Sequence, residues 1–320
     1  MNVLVTSIGS FSADIVIKNL RKEGHRVTGC SVFPREWTAE SLLLDSFYQI
    51  AHADDPDRYL EDIFRICEEE KIRYVQPLTD IEIDLLDEHR SRFEEKGIRL
   101  CITDGGNLPL LRNKMKLSTA LSEKMTAFRT IPTRRLDEVT EVPEFPVVCK
   151  RIKGRSSKGL YFIHSEREWN YFLEGPDRKA YPYIVQPFIE GGILTVDVLR
   201  DPESGTKAAV AREELLRTYN GAGLTVRTFR DPKLEEACKK LVDFLNIRGC
   251  VNFEFIRSSG GELYLLECNP RFSGGVEFSC MAGYDFVRNH FRCFTGERAE
   301  DAGEIKETYI ARKYEEYEIT

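Results

Sequence analysis

Glu254 and Glu267 are the residues whose type and spacing speak most directly of chemistry. They stand on either side of Ser258-Ser259-Gly260-Gly261, in segments Val251 to Arg257 and Glu262 to Arg271 that read as strands. A Gly-Gly pair predicts a two-residue hairpin turn, because glycine accepts positive φ without strain. Such a turn sets Ser259 opposite Glu262, Ile256 opposite Leu265 and Glu254 opposite Glu267. Directly opposed side chains have Cβ atoms about 5 Å apart. Two carboxylates so placed repel by roughly 3 kcal/mol at an effective dielectric near 20. The pattern therefore predicts a cation between them. Phe253, Phe255, Tyr264 and Leu266 fall on the opposite face, while Ile256 and Leu265 extend the carboxylate face, so both faces are expected to be buried. Asn269 adds a neutral oxygen on the side of Glu267, and Arg271 follows, placed to meet negative charge. An all-oxygen donor set with open positions suits magnesium shared between protein and phosphate. Two solvated glutamates on an edge strand are the alternative.

Two further groups have chemical potential. Lys153-Gly154-Arg155-Ser156-Ser157-Lys158-Gly159 joins the strands Pro146 to Lys150 and Leu160 to Ile163. Such a loop can offer backbone N–H groups and cationic donors to phosphates, or it can be a solvated basic hairpin tip. Arg212 ends the apolar run Ala208 to Ala211 and precedes Tyr219-Asn220-Gly221-Ala222-Gly223. It is a candidate for bidentate binding of a substrate carboxylate, with Arg217 a weaker one. A charged strand end beside Glu213 and Glu214 is the alternative. His25, His89 and His164 read as surface or strand-end residues.

The elements that must position these groups begin with alternating strands and helices. Residues 2–6 and 25–30 read as strands around a helix carrying Ile15, Val16, Ile17 and Leu20, ended by Gly24. A helix over 56–70 opens with Asp54-Asp55-Pro56, a cap followed by proline in the first turn. Strand 73–78, helix 81–96 and strand 98–102 follow, and the alternation predicts a parallel sheet with right-handed crossovers. Ser7-Ile8-Gly9-Ser10 lacks the three-glycine dinucleotide fingerprint, which disfavours a nicotinamide-dependent oxidoreductase. Ser10 and Thr79-Asp80 lie where open α/β sheets bind ligands, at the carboxyl ends of strands. Asp80 reads equally well as a helix N-cap. A helix over 113–125, strands over 146–150, 160–163, 183–189 and from 194, and a helix over 232–245 lead to the glutamate hairpin. A last strand is expected over Glu307 to Arg312.

The 320 residues allow two or three packed units. The net charge of -7 gives a nucleic-acid partner no bulk electrostatic support. No apolar run approaches a membrane span and no signal-peptide pattern opens the chain. Nine scattered cysteines without a C-x-x-C pair predict a reduced, cytoplasmic protein. A twofold homodimer is the base-rate assembly.

In order and spacing these parts resemble the ATP-grasp superfamily, most of all single-unit proteins related to the large subunit of carbamoyl phosphate synthase. The resemblance covers residues 1 to about 295 and is most specific at Glu254, Glu267, Asn269, Pro270 and Arg271. It implies an N-terminal Rossmann-like domain (1–107), an ATP-grasp small lobe or lid (108–190) and a large lobe with the metal site (191–320). Lys114 and Lys150 would bind ATP phosphates, and Ser156, Ser157, Lys158 and Gly159 would cover them. The stretch Gln186, Pro187, Phe188, Ile189 and Glu190 would be the adenine-reading hinge. Glu254, Glu267 and Asn269 would hold magnesium or manganese, and Arg271 would steady the transferred phosphoryl group. Arg271, Lys150 and Arg212 are the implied catalytic set. Two positions depart from the family pattern: Ile193 stands where many members carry a ribose-binding glutamate, and Arg151 where proline is usual. With room for one unit, the chain is expected to be a carboxylate–amine ligase acting on small molecules through an acyl phosphate, rather than a carbamoyl phosphate synthase. A non-catalytic nucleotide-binding regulatory module is the alternative, favoured by Ile193.

Overall fold

The computed structural model describes residues 1–104, 106–121, 127–152, 159–219 and 221–319. Its first unit is a parallel sheet of β1 (Asn2–Val5), β2 (Arg26–Ser31), β3 (Ser46–Gln49), β4 (Tyr74–Gln76) and β5 (Arg99–Leu100), in the order β3-β2-β1-β4-β5. Crossovers run through α1 (Ala13–Lys22), α2 (Pro56–Glu69), α3 (Asp80–Glu88) and α4 (Arg90–Glu95). On α1 the buried residues Ala13, Val16, Ile17 and Leu20 form one stripe at helical spacing. The expected helix over 81–96 is broken at His89, whose ψ of 17° leaves the helical region. The short edge strand β3 has no apolar alternation to announce it.

Next come α5 (Leu108–Leu111), α6 (Lys114–Leu121), β6 (Arg129–Thr130), β7 (Arg134–Arg135), β8 (Val147–Arg151), β9 (Leu160–Ile163), α7 (Glu166–Glu174), α8 (Pro176–Ala180) and β10 (Tyr183–Pro187). Strands β7-β10-β8-β9 form a small sheet with its own core, where Val147, Cys149, Tyr183 and Val185 meet Trp169 and Phe172. Residues 108–121 and 127–130 pack elsewhere. Leu111, Leu117, Leu121 and Phe128 are buried with Phe253 and Phe255 of the large sheet, and β6 pairs in parallel with β15. Among the described residues, Arg134 and Arg135 are the first in the chain to pair into the small sheet.

The large sheet combines β11 (Gly191–Arg200), β12 (Lys207–Arg217), β13 (Gly223–Phe229), β14 (Gly249–Ser258), β15 (Leu263–Asn269) and β16 (Thr308–Ala311) with β6, in the order β16-β13-β12-β11-β14-β15-β6. One face is covered by α9 (Pro232–Phe244) and by Leu111, Leu117, Leu121 and Phe128. The other face packs at one end on α10 (Val276–Met281), α11 (Phe286–Thr295) and α1, so the N-terminal sheet and the large sheet share a core. All nine cysteines are free thiols. Among the described residues no helix is long and apolar enough to cross a membrane.

Candidate functional site

The glutamate hairpin reaches the expected pairing by an unexpected route. Gly261 N–H donates to the Ser258 carbonyl, and Ser258 N–H to the Glu262 carbonyl, both at 2.9 Å. The loop thus has three residues, with Gly261 in the left-handed region at φ +82°, the usual form of a three-residue hairpin loop. Arg257 then pairs Leu263, Ile256 pairs Tyr264 and Phe255 pairs Leu265. A bulge at Leu266 takes up the odd residue, after which Glu254 pairs Glu267 and Asn252 pairs Asn269. Ile256 thus faces Tyr264 and not Leu265, and Leu265 joins Phe253 and Phe255 in the apolar core.

Because paired residues share a face, the sheet carries two polar rows. Arg212, Thr195, Glu254 and Glu267 lie side by side, as do Asp197, Asn252 and Asn269. The glutamate row opens on a cleft: the side chains of Glu254 and Glu267 are 17% and 27% exposed, so this face is not buried as expected. Ile193 pairs Ile256 one step further out, giving the cleft floor an apolar end.

Cations reach the two carboxylates from separate elements. Lys114, at the start of α6, places Nζ 3.1 Å from Glu267 Oε2. Arg217, at the end of β12, places Nη2 3.1 Å from Glu254 Oε2. Lys150 lies on the cleft face of the lid with Val148, Ile184 and Gln186. Burial lowers the Lys150 ammonium to about 8, against the opposing pull of Glu267. Burial and then Glu267 push the Glu254 carboxyl up, against Arg217. Burial acts in the same sense on Glu267, but Lys114 and Lys150 outweigh it and hold that carboxyl down at about 2.

Asn269 is oriented by a residue that sequence reasoning missed. Asn252 Nδ2 donates to the Arg271 carbonyl at 3.0 Å, which turns its Oδ1 toward Asn269. Asn269 Nδ2 donates to that oxygen at 3.2 Å and to Glu267 Oε1 at 3.4 Å, so the amide nitrogen is the end turned toward the carboxylate pair. The only sequence sign of Asn252 is its place two residues before Glu254. Among the described residues no group of three or more His, Cys, Asp or Glu side chains gathers around one point. The carboxylates of Glu254 and Glu267 are thus the oxygen donors that face each other here, with Asn269 beside them, which leaves room for phosphate oxygens, as magnesium sites commonly do.

Arg271 Nη2 lies 3.0 Å from Asp80 Oδ2 of the N-terminal unit. Asp80 is the first residue of α3 and not its cap. It also takes Arg112 at 3.0 Å. Burial alone would raise the Asp80 carboxyl, but Arg271 and Arg112 hold it below its ordinary value. Arg212 lies beneath the cleft rather than in it. It is 1% exposed, pairs with Asp197 and with Glu214 at 3.0 Å, and donates to Ser279 and Ser273 at 2.9 and 2.8 Å. A buried guanidinium needs such partners, and they leave it no substrate role.

In the hinge stretch, Phe188 N–H donates to the Pro146 carbonyl at 3.0 Å. Gln186 is buried, its Nε2 bonded to Thr133 Oγ1 at 2.8 Å and its Oε1 without a partner among the described residues. Pro187 and Glu190 are exposed, and Ile189 is half-buried. Ser156, Ser157 and Lys158 lie outside the described residues. Gly159 has φ +71°, and a Cβ there would come within 2.4 Å of the Arg151 side chain. Arg151 itself pairs with Asp177 and lies over the Tyr181 ring at 3.6 Å.

A parallel-sheet unit, a small lid and a large sheet, closing on two opposed carboxylates approached by lysine and arginine, form the architecture of ATP-grasp proteins, and the chain resembles the large chain of carbamoyl phosphate synthase. Residues 3–101 match the family described as PylC-like, N-terminal domain. Residues 179–317 match that described as ATP-grasp in the biosynthetic pathway with Ter operon. The carbamoyl phosphate synthase large chain of Clostridium botulinum is 26% identical over 228 residues, 66% of this chain and 21% of that protein. That of Clostridium perfringens is 27% identical over 169 residues, 50% of this chain and 16% of that protein. The chain thus spans about a fifth of the length of these relatives. Among solved structures, the biotin carboxylase domain dimer of Hydrogenobacter thermophilus 2-oxoglutarate carboxylase, with MgADP and bicarbonate, superimposes with a TM-score of 0.80 at 22% identity. The match covers 96% of this chain and 73% of that one. N5-carboxyaminoimidazole synthetase of Staphylococcus aureus, complexed with ADP, gives 0.75 at 16% identity over 95% of this chain and 79% of that one.

Proposed function

We propose that this protein is an ATP- and magnesium-dependent ligase that joins a small-molecule carboxylate to an amine, releasing ADP and phosphate. The observation that carries this reading is the Glu254–Glu267 pair, with Lys114 of α6, Lys150 of β8 and Arg271 just past β15 close to it. A carboxylate oxygen attacks the γ-phosphorus of ATP and the bond to the β–γ bridging oxygen breaks, giving an acyl phosphate and ADP. The amine nitrogen then attacks the acyl carbon, phosphate leaves, and the nitrogen gives up a proton. Such chemistry needs positioning and charge neutralisation more than covalent participation. Magnesium or manganese, held by Glu254, Glu267 and Asn269, would supply charge neutralisation at the phosphates. Lys114 and Lys150 hold phosphate oxygens, and Arg271, steadied by Asp80, meets the acyl phosphate. With the Phe188 amide committed to Pro146, the adenine falls to the backbone of Pro187 and Ile189, between Gln186 and Glu190. The assignment of Ser156, Ser157 and Lys158 to the phosphates rests on the resemblance alone. The lid keeps water from the acyl phosphate. The nine free thiols support a cytoplasmic setting, and a homodimer is the expected assembly.

The test is magnesium-dependent ADP release over a panel of amino acids and other carboxylates, with hydroxylamine to trap an acyl phosphate. Turnover with a specific pair and a trapped hydroxamate is the expected result. Tight nucleotide binding without ADP release across the panel would favour the second reading, a non-catalytic ATP-binding regulatory module. The apolar Ile193–Ile256 pair favours that reading, because it stands where a ribose-binding carboxylate is expected.

A further inference from the structure

Arg217 occupies a position that the ligase reading leaves unexplained. The β12–β13 pairing shifts register between Glu214 and Leu216 and again between Leu216 and Arg217. Bulges of this kind re-aim side chains, often beside active sites. Here they leave Leu216 61% exposed and send Arg217 across β11 to Glu254 on β14. Among the described residues the guanidinium is held at two points. Nε donates to the Gly221 carbonyl at 2.8 Å, within a turn where Gly221 takes φ +90°. Nη2 donates to Glu254 Oε2 at 3.1 Å. Arg212, five residues earlier on the same strand, is wholly engaged below the cleft, so Arg217 is the arginine of β12 that reaches the cleft.

We propose that Arg217 exchanges partners. Without metal it neutralises Glu254; once a divalent ion takes that carboxylate, Nη2 is released and pairs with the carboxylate of the acceptor substrate. The Gly221 contact keeps the guanidinium beside the site during the exchange. This inference rests on the metal assignment made above. Its consequence is thermodynamic coupling: whatever strengthens metal binding at Glu254 strengthens acceptor binding at Arg217, and the reverse holds equally. The acceptor carboxylate is thus bound after the metal nucleotide and within one side chain's length of it.

Two measurements on the whole protein test this. The first is Mn2+ affinity without nucleotide, by electron paramagnetic resonance, for wild type, Arg217→Gln and Arg217→Lys. Arg217→Gln removes a competitor and a like charge, so it binds Mn2+ about tenfold tighter or more, while Arg217→Lys stays near wild type. The second is phenylglyoxal labelling read by mass spectrometry, in which Mn2+ increases modification of Arg217 and leaves Arg212 unmodified. Equal Mn2+ affinity in wild type and Arg217→Gln, or labelling of Arg217 that ignores Mn2+, overturns the exchange but not the metal site. Absence of Mn2+ binding in all three proteins overturns the metal assignment and the exchange with it.

Discussion

Glu254 and Glu267 are paired directly across β14 and β15, yet each carboxylate answers to a different cation, Arg217 for the first and Lys114 for the second. The pair is therefore split in charge: Glu254 is the harder to ionise, and Glu267 holds its charge down to about pH 2. Glu267→Gln keeps the shape and removes the like-charge repulsion, but leaves Lys114 without its partner. We expect a stability change of about 1 kcal/mol or less, as for a partly exposed pair, and a loss of magnesium-dependent ADP formation of about 100-fold or more. Thermal melts and the ADP assay check both, and wild-type turnover in this variant would count against the metal assignment.

Lys150 gives nucleotide binding a pH dependence. Its ammonium is held at about 8 by burial, so the free protein loses that charge as pH rises through 8. Phosphate binding favours the charged form, so the ADP affinity should weaken above pH 8 by up to about tenfold per pH unit. Lys150→Arg keeps its charge throughout and should show a flat profile over the same range. Calorimetric titrations from pH 7 to 9.5 decide this, and parallel profiles for the two proteins would remove Lys150 from the phosphate site.

Asn252 should matter although it touches no ligand in the proposed scheme. Asn252→Ala removes the acceptor that orients Asn269 and leaves the Arg271 carbonyl without its donor. Loss of such a supporting contact typically weakens metal affinity by about tenfold or more. Mn2+ titration of this variant, with circular dichroism to confirm the fold, provides the measurement; unchanged affinity would show that Asn269 needs no such support.

His290 ties the N-terminal unit to the large sheet. Its Nδ1 accepts from Cys250 N–H at 2.8 Å, and its Nε2 lies 3.0 Å from the Cys101 carbonyl. Burial lowers the imidazole from 6.5 to about 4. The folded protein keeps this ring neutral between those values, whereas the unfolded chain takes up a proton. Its contribution to stability is therefore fully present above pH 6.5 and is lost as pH falls toward 4, a change of roughly 3 kcal/mol. Urea midpoints from pH 7.5 to 4.5 should fall more steeply in wild type than in His290→Gln.

The alternation of strand and helix, the pairing of the two glutamates and the order of the cationic segments were all legible in the chain. Their signals are local: periodicity, a glycine turn, charge next to apolar runs. The hairpin shows where such reasoning stops. Gly260-Gly261 announced a turn but not its length, and the bulge at Leu266 that restores the register carries no mark in composition. Arg212 read as a free strand-end cation because, besides its neighbour Glu214, its partners Asp197 and Ser279 lie on another strand and in a later helix. Arg217 and Glu254 meet only through two register shifts that no residue pattern foretold. Helix α11 was legible and overlooked: Asp285 caps it, and Phe286, His290, Phe291 and Phe294 follow at helical spacing.

The bond between Gln186 and Thr133 joins the strand leaving the lid to the segment entering it. It closes the base of the small lobe, where the chain enters and leaves, much as a page is bound at its spine. A swing of Lys150 relative to Glu267 that keeps this bond turns the lobe about its base. A deletion of the whole leaf, residues 134–187 replaced by a short bridge, should leave a folded two-unit remainder that keeps its carboxylate pair and Lys114 but, without Lys150 and the hinge, binds ADP more weakly.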